Sequence, residues 1–261
     1  MEAMDVPERE QLPAEFHEQP LTARMLDDFA LCPRKFLLSF FTTDQDERRL
    51  RGGAAVLHQA VRQALLDHYQ FGGPARQPVA ELLSAFERHW DGRRCADSLE
   101  EQQLHAAGLE MLAAYHAAHA AEAVTVLATD VRLTGQVAGR EFVAVADLVT
   151  KPVAGEVAVT RFVTSRRPLS SAELATDISA QVLWLLATSR YGEDGAVRVL
   201  YYALRQGRAR EVSLDAEQAA YLRQDLAARV GRIHREEEFA PRKGSYCRWC
   251  RSRSRCPLWR R

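Results

Sequence analysis

The sequence has very little lysine, no long apolar run and no net charge. Only Lys35, Lys151 and Lys243 are lysines, so 32 of the 35 basic residues are arginine, and any mechanism that needs a lysine has three candidates. No run of about 18 apolar residues occurs, which excludes a membrane-spanning helix. Because basic and acidic residues balance at 35 each, no overall field favours a nucleic-acid or membrane partner.

Cysteine is also scarce, and its placement is uneven. The five cysteines are too few and too clustered for a secreted disulfide scaffold, since three of them lie close together near the C-terminus. Residues 1–20 are acidic and polar and lack the apolar core of a signal peptide. We therefore expect a disordered tail over residues 1–20 on a cytoplasmic protein.

The rest of the chain shows helical and strand patterns in turn and has no internal linker. The predicted helices cover residues 21–41 (two short helices broken at Cys32-Pro33), 52–70, 79–91, 98–122, 171–190 and 215–235. The predicted strands cover residues 124–133, 141–149, 156–163, 197–204 and 209–213. This order predicts one α/β domain over residues 21–261.

The segment SYCRWCRSRSRCPLW places Cys247, Cys250 and Cys256 at a C-x2-C-x5-C spacing. Structural zinc and iron–sulfur centres both use four soft ligands, so a fourth must come from elsewhere. Cys32, in CPRKF directly after a predicted helix, is the better candidate, and Cys95 has no such setting. Four unrelated buried cysteines are the alternative. The spacing alone favours a cluster over zinc only weakly.

The segments LTARMLDDFALCPRKFLLSFF and FAPRKGSYCRWCRSRSRCPLW resemble the two ends of RecB-type PD-(D/E)XK nucleases of the AddB and CRISPR-adaptation exonuclease kind. The resemblance begins at about residue 21 and implies that Cys32, Cys247, Cys250 and Cys256 hold a [4Fe–4S] cluster rather than zinc. It also implies a restriction-endonuclease-like α/β fold, with a mixed central sheet flanked by helices and the chain ends joined at the four cysteines. Such a link closes a loop of more than 200 residues, so cluster binding would stabilise the whole domain.

The chemistry of that family is phosphodiester hydrolysis, in which carboxylates hold divalent metal and a lysine stabilises charge. The segment GGAAVLHQAV resembles its G-x-x-x-H helix and gives His58. The segment VAVADLV resembles its G-x-I-D-x-V strand and gives Asp147, with Ala144 where a glycine is usual. The segment DISAQVLWLLATSRYG resembles its Q-x-x-x-Y helix and gives Gln181, although the usual tyrosine is replaced. Independently of the family, an aspartate inside an apolar strand costs free energy unless it is paired, so Asp147 is a functional candidate.

The segment GEVAVTRFVTSRRP resembles the strand that carries the second carboxylate and the lysine, but those two positions are Arg161 and Val163. Residues 157–172 contain no Asp, Glu or Lys, and no shift of register recovers the motif. We therefore expect an inactive catalytic site. The alternative is an active Mg2+- or Mn2+-dependent exonuclease with relocated groups, in which Glu173 or Asp177 supplies the carboxylate.

Arg161 is also a candidate for a role of its own. A guanidinium that faces Asp147 could form a bidentate ion pair and replace the metal by a fixed charge. The alternative is that Arg161 points elsewhere.

Arginine and tryptophan residues favour DNA as a partner, because arginine contacts phosphate without sequence specificity and tryptophan stacks on unpaired bases. The candidate DNA-binding residues are Arg34, Arg166, Arg167, Arg248, Trp249, Arg251, Arg253 and Arg255, with Trp259, Arg260 and Arg261 beside them. Alternatively, the arginines near the cysteines neutralise an anionic cluster. The expected role is in DNA repair or recombination, on single strands or ends, beside a helicase or nuclease subunit. A cluster-linked protein-interaction module is the further alternative.

Overall fold

The computed structural model describes residues 15–41, 52–152 and 155–259. The chain divides into two compact units. Of the described residues, unit 1 contains those within Met1–Arg49, Gln136–Phe142 and Glu217–Arg261, and unit 2 contains those within Leu50–Gly135 and Val143–Ala216. Unit 1 is built from both ends of the chain together with Gln136–Phe142, and unit 2 from its middle.

The helices lie close to the predicted positions, with one addition at the start. They are α1 (Glu15–Glu18), α2 (Ala23–Leu31), α3 (Pro33–Phe40), α4 (Gly53–Gln70), α5 (Val79–His89), α6 (Ser98–His119), α7 (Ser171–Thr176), α8 (Ile178–Tyr191) and α9 (Ala216–His234). In the described part of the chain, no helix is both long enough and apolar enough to cross a membrane.

Helix α1 corrects part of the predicted disordered tail. Phe16 is fully buried in unit 1, and its ring lies edge-on to the rings of Phe36 and His234. Arg140 donates a hydrogen bond to the Phe16 carbonyl oxygen and lies over its ring. Burial of an aromatic ring is a large apolar contribution, so this turn is held in place although its neighbours in sequence are polar. Residues 1–14 of the predicted tail lie outside the described residues.

The break between the two short N-terminal helices occurs at Cys32, as the Cys-Pro pair predicts. Thr22 caps α2 by accepting the Met25 N–H at 3.2 Å. Cys32 has an extended backbone, ends α2 and directly precedes α3, whose first residue is Pro33. Proline suits the first position of a helix because its nitrogen has no hydrogen to satisfy. The sequence thereby fixes Cys32 in the bend between two helices.

The five strands form one mixed sheet. They are β1 (Val124–Val137), β2 (Arg140–Pro152), β3 (Val157–Val163), β4 (Val197–Ala203) and β5 (Arg208–Val212), in the order β1-β2-β3-β4-β5. Strand β3 is antiparallel to β2 and parallel to β4, and β4 is antiparallel to β5. The parallel pair follows from the crossover through α7 and α8, because parallel neighbours cannot be joined by a tight turn.

The core of unit 2 lies between the sheet and the helices α4, α5 and α6. Leu148, Phe162 and Tyr202 face it from three neighbouring strands. Gly108 in α6 allows close approach, because a Cβ at this position would overlap the ring of Phe86. This packing holds α4 against β2 and β3, which carry the candidate catalytic positions.

Candidate functional site

Asp147 lies in β2 with none of its surface exposed. Its Oδ2 accepts the backbone N–H of Phe162 on the neighbouring strand at 2.7 Å. Burial of a carboxylate without partners would cost several kcal/mol, on the order of the penalty for an unpaired buried charge. Asp147 therefore needs charged partners in addition to this N–H group.

The principal partner of Asp147 is Arg62, a residue that the sequence analysis did not single out. The Arg62 Nε donates to Asp147 Oδ1 at 2.6 Å, and its Nη2 donates to Asp130 on β1. Burial lowers the pKa of Arg62, but bonding to Asp147 and Asp130 outweighs it, so the pKa is raised above its ordinary value. Arg62 follows His58 by four residues on α4, so both side chains lie on one face of the helix. That spacing was the available sequence signal.

Arg161 also contacts Asp147, although the predicted bidentate geometry was wrong. Its Nη1 donates to the Val145 carbonyl oxygen at 2.8 Å and lies 3.4 Å from Asp147 Oδ1. Asp147 is thus surrounded by two guanidinium groups and one backbone N–H. These donors use three of the roughly four lone-pair positions of a carboxylate.

An open cleft of about 620 Å³ lies beside these residues in unit 2. Its walls are formed by the start of α4, part of α6, the end of β3 with the loop that follows, and residues of β4 and the turn after it. The lining residues are Ala54, Leu57, His58, Glu100, Leu104, Arg161, Phe162, Val163, Thr164, Ser165, Arg166, Tyr201 and Arg205. Arg161 and Val163, the two replaced positions, line this cleft, and Asp147 does not.

His58 lines the cleft in a partly buried position. Its Nδ1 lies 3.3 Å from the Thr164 Oγ1. Burial lowers the pKa of His58; the negative charge of Asp147 opposes this shift, and the charges of Arg161 and Arg62 add to it. The imidazole is therefore neutral near pH 7.

Gln181, the third predicted remnant of the active site, lies outside the cleft lining. Its Nε2 donates to the Ala175 carbonyl oxygen at the end of α7, at 2.8 Å. This bond helps to join two consecutive helices, α7 and α8. The structure therefore brings together His58, Asp147, Arg161 and Val163 around β2, β3 and α4, and gives Gln181 a local structural contact.

The relocated carboxylates of the alternative hypothesis cap helices. Glu173 accepts the Ser170 N–H at 2.8 Å within a capping box at the start of α7, and lies 3.6 Å from Arg167. Asp177 caps α8 by accepting the Ala180 N–H at 2.8 Å. These contacts stabilise the starts of α7 and α8, and neither carboxylate lines the cleft.

The lysines are also placed elsewhere. Lys35 and Lys243 belong to unit 1, and Lys151 is exposed near the end of β2. None of the three lines the cleft. Within the described residues, no group of three or more His, Cys, Asp or Glu side chains is placed to hold a metal ion.

The four cysteines singled out from the sequence line one cavity in unit 1. Cys32, Cys247, Cys250 and Cys256 all contribute to its wall. Each is a free thiol. The Sγ of Cys32 accepts the backbone N–H of Arg242 at 3.4 Å, and the Sγ of Cys247 accepts that of Gly244 at 3.4 Å. Backbone N–H donors stabilise negative charge on sulfur. Among the described residues, however, the four cysteines do not form a group placed to hold a single metal ion.

Hydrogen bonds around this cavity join the two ends of the chain. The Tyr246 hydroxyl donates to the Leu31 carbonyl oxygen at 3.0 Å, and Arg242 donates to the Ala30 carbonyl oxygen at 2.9 Å. Lys35, which lines the cavity, pairs with the buried Asp28 at 2.5 Å. Burial raises the pKa of the Cys250 thiol, and a bond from Ser252 and the charge of Lys35 oppose this shift. Cys95 lies in unit 2, away from this set.

The predicted DNA-binding residues differ in exposure. Trp249 is 75% exposed, with the Arg248 guanidinium 5.0 Å from its ring centroid. Arg34 is only 9% exposed, because α3 turns it toward the interior, so its prediction as a DNA-facing side chain was wrong. Arg255 is half-buried and donates to the Leu38 carbonyl oxygen at 3.1 Å. The other candidates are exposed: Arg166, Arg167, Arg248, Arg251 and Arg253. Arg260 and Arg261 lie outside the described residues.

Comparison with known proteins identifies the family. Residues 20–257 match the family model described as the PD-(D/E)XK nuclease superfamily, and the chain belongs to that superfamily. A solved structure from Eubacterium rectale, described as a "Putative exonuclease", shares the fold with a TM-score of 0.51 and 12% identity, covering 93% of both chains. The structure described as SSO0001 has a TM-score of 0.34 and 13% identity, covering 91% of this chain and 96% of the other. No curated protein sequence matches the chain.

Proposed function

We propose that this protein is a DNA-binding, RecB-type member of the PD-(D/E)XK superfamily in which the hydrolytic metal site has been replaced by an internal ion-pair network. The observation that carries the proposal is the environment of Asp147, the one motif carboxylate that remains. It is fully buried and paired with Arg62 and Arg161. Membership of the superfamily supports a nucleic-acid partner.

Electrostatics explains why the network opposes metal binding. A divalent cation about 4 Å from one guanidinium is repelled by about 8 kcal/mol at an effective dielectric constant of 20. Two guanidiniums contact Asp147, and each of them would repel a cation placed at this carboxylate. Arg62 is itself fixed by a second carboxylate, that of Asp130, so its displacement would break two ion pairs. We therefore expect Mg2+ or Mn2+ to bind only weakly at Asp147.

The missing lysine supports the same conclusion. Val163 supplies no charge at the position where the family carries its lysine, and the lysines of this chain lie outside the cleft. A guanidinium can hold a phosphate but is a poor proton shuttle, because it does not readily release a proton. Binding is therefore retained in the proposal and hydrolysis is not.

A [4Fe–4S] cluster held by Cys32, Cys247, Cys250 and Cys256 is part of the proposal. The support is that these four thiols line one cavity and that backbone N–H groups point at two of the sulfurs. When bound, the cluster would supply four strong bonds between distant parts of the chain, with zinc as the less favoured alternative. A reducing compartment keeps such thiols available, so a cytoplasmic location belongs to the proposal.

The remaining elements of the proposal concern partners. Exposed tryptophan and arginine side chains in unit 1, including Trp249, Arg248 and Arg251, support binding of single strands or ends. A role in DNA repair or recombination, beside a helicase or an active nuclease subunit, is the biological setting that we propose.

One assay tests the central proposal. The protein, purified anaerobically, is incubated with single-stranded and duplex DNA in Mn2+, beside the Asp147→Ala variant. We expect binding at low salt, where phosphate contacts are strongest, and no cleavage. Metal-dependent cleavage that is lost in the variant would show that the exonuclease alternative is correct. Failure to bind any DNA at low salt would favour the protein-interaction module.

A second assay tests the cluster. Iron and acid-labile sulfide are measured in the anaerobic protein, in Cys247→Ser and in the matched control Cys95→Ser. We expect about four iron and four sulfide per chain, with loss in Cys247→Ser and no change in Cys95→Ser. Detection of zinc without sulfide in the wild-type protein would show that the cysteines bind zinc and not an iron–sulfur cluster.

A further inference from the structure

We infer that the cleft of unit 2 binds the phosphodiester backbone of DNA without any divalent cation, through the guanidinium groups of Arg161, Arg166 and Arg205. The inference rests on the proposed function and adds to it the place and the chemistry of binding. Of the three arginines, the sequence analysis identified only Arg166 as a contact to DNA. Arg205 was not among its candidates, and Arg161 was assigned to Asp147 alone.

The shape of the site is that of an open cleft. Its volume of about 620 Å³ is enough for a nucleotide-sized group. Arg161 enters it from β3, Arg166 from the loop after β3, and Arg205 from the turn after β4. Three cations, from β3, the loop after it and the turn after β4, therefore share one opening.

The charge of the cleft is positive. Among its described lining residues, the three arginines face a single carboxylate, that of Glu100. The buried carboxylate of Asp147 is not part of the lining, and its charge is paired with Arg62 and Arg161. Burial lowers the pKa of Arg205, and the charge of Arg166 lowers it further, so the two cations repel each other. A bound phosphate would relieve that repulsion.

Two of the arginines are already positioned. Arg161 is held by the Val145 carbonyl oxygen at 2.8 Å and keeps 30% of its side chain exposed. Arg205 donates through Nε to the Thr164 carbonyl oxygen at 2.9 Å. A guanidinium fixed in this way loses little side-chain entropy on binding, and its planar fork matches two oxygens of a phosphate. Arg161 thus supplies at this position the positive charge that a metal supplies elsewhere in the superfamily.

The experiment measures binding of a fluorescein-labelled DNA oligonucleotide by anisotropy, at low salt, with EDTA and separately with Mg2+. The wild-type protein is expected to bind equally well in both. Arg161→Ala and Arg205→Ala are each expected to weaken binding about tenfold and to reduce the salt dependence by about one phosphate contact. Glu100→Gln is expected to strengthen binding, because it removes the one negative charge of the lining.

Arg198→Ala is the matched control. Arg198 lies in the same unit on β4, pairs with Glu211 at 2.9 Å and is not part of the cleft lining. Its replacement is expected to leave the affinity unchanged. Circular dichroism of each variant checks the fold, and the two independent arginine variants guard against a local defect in one of them.

The outcomes separate this inference from the proposed function. Loss of binding in EDTA, or unchanged affinity in both Arg161→Ala and Arg205→Ala, would overturn the cleft site. If affinity then fell in Trp249→Ala, DNA binding would stand and its place would be unit 1. Absence of binding by the wild-type protein in every condition would contradict the proposed function itself.

Discussion

The cysteine-lined cavity of unit 1 and the Asp147 region of unit 2 differ in how much of a metal-binding set each retains. Four cysteine sulfurs line the cavity of unit 1, and backbone N–H groups donate to two of them. In unit 2 the buried carboxylate of Asp147 is paired with the arginine side chains of Arg62 and Arg161. Under the proposed function, the difference teaches that the residues which join the chain ends can persist where the residues for hydrolysis have been replaced.

The largest effect is expected from the cysteines. Cys32→Ser removes one ligand of the proposed centre and should destabilise unit 1 by several kcal/mol, because the free energy of ligand binding becomes free energy of folding. Thermal unfolding under anaerobic conditions measures this loss of stability. Cys95→Ser should change stability by less than about 1 kcal/mol. Equal effects of the two substitutions would break the comparison, since the four cysteines would then be ordinary buried residues.

A smaller effect is expected when Asp147 is replaced. Asp147→Ala leaves Arg62 and Arg161 without their shared counter-charge, which should cost about 3–5 kcal/mol of unfolding free energy. Asp130→Asn breaks the more exposed end of the network and should cost about 1 kcal/mol or less. Urea unfolding with and without Mg2+ measures whether the ion stabilises the wild-type protein and the Asp147→Ala variant. Stabilisation of the wild-type protein by Mg2+ that vanishes in Asp147→Ala would reveal a metal site in unit 2.

The smallest effect is expected from His58. Its pKa in the folded protein is lowered by burial, so between that value and the ordinary value of 6.5 the unfolded chain binds the proton and the folded chain does not. The unfolding free energy should therefore fall as the pH drops below about 6.5, and be independent of His58 at higher pH.

The measurement is urea unfolding as a function of pH for the wild-type protein and His58→Gln. The variant should show a flatter profile just below pH 6.5. Some acid sensitivity should remain, because burial also lowers the pKa of His68, to about 4. Identical profiles would mean that His58 is solvated in the cleft and titrates normally.

The helices and strands of the middle of the chain could be predicted because their apolar residues repeat at helical or strand spacing. The prediction that Asp147 must be paired is confirmed by its contacts, but its main partner was missed. Arg62 meets Asp147 only because α4 packs against β2, and that is a tertiary contact which a local pattern does not encode. The burial of Phe16 was missed for the same reason, since its neighbours in sequence are polar.

The metal centre at the four cysteines stays a prediction, and the structure places all four in the lining of one cavity. The position of Arg34 could not be predicted. A charged residue next to Pro33 suggests a surface, but α3 is short and most of its first turn is buried. Whether a side chain in the first turn of a helix is buried or exposed depends on the angle at which the helix packs.

The construction of unit 1 from both ends of the chain has a consequence for synthesis on the ribosome. Every residue of unit 2 is translated before Glu217–Arg261 emerges, whereas Cys32 must wait about 215 residues for Cys247. At about 5–20 residues per second, that delay lasts roughly 10–40 seconds. During this interval the middle of the chain can fold, while the first cysteine remains an open thiol that is available to chaperones or metal donors. Assembly of unit 1 must therefore wait until Glu217–Arg261 has been translated.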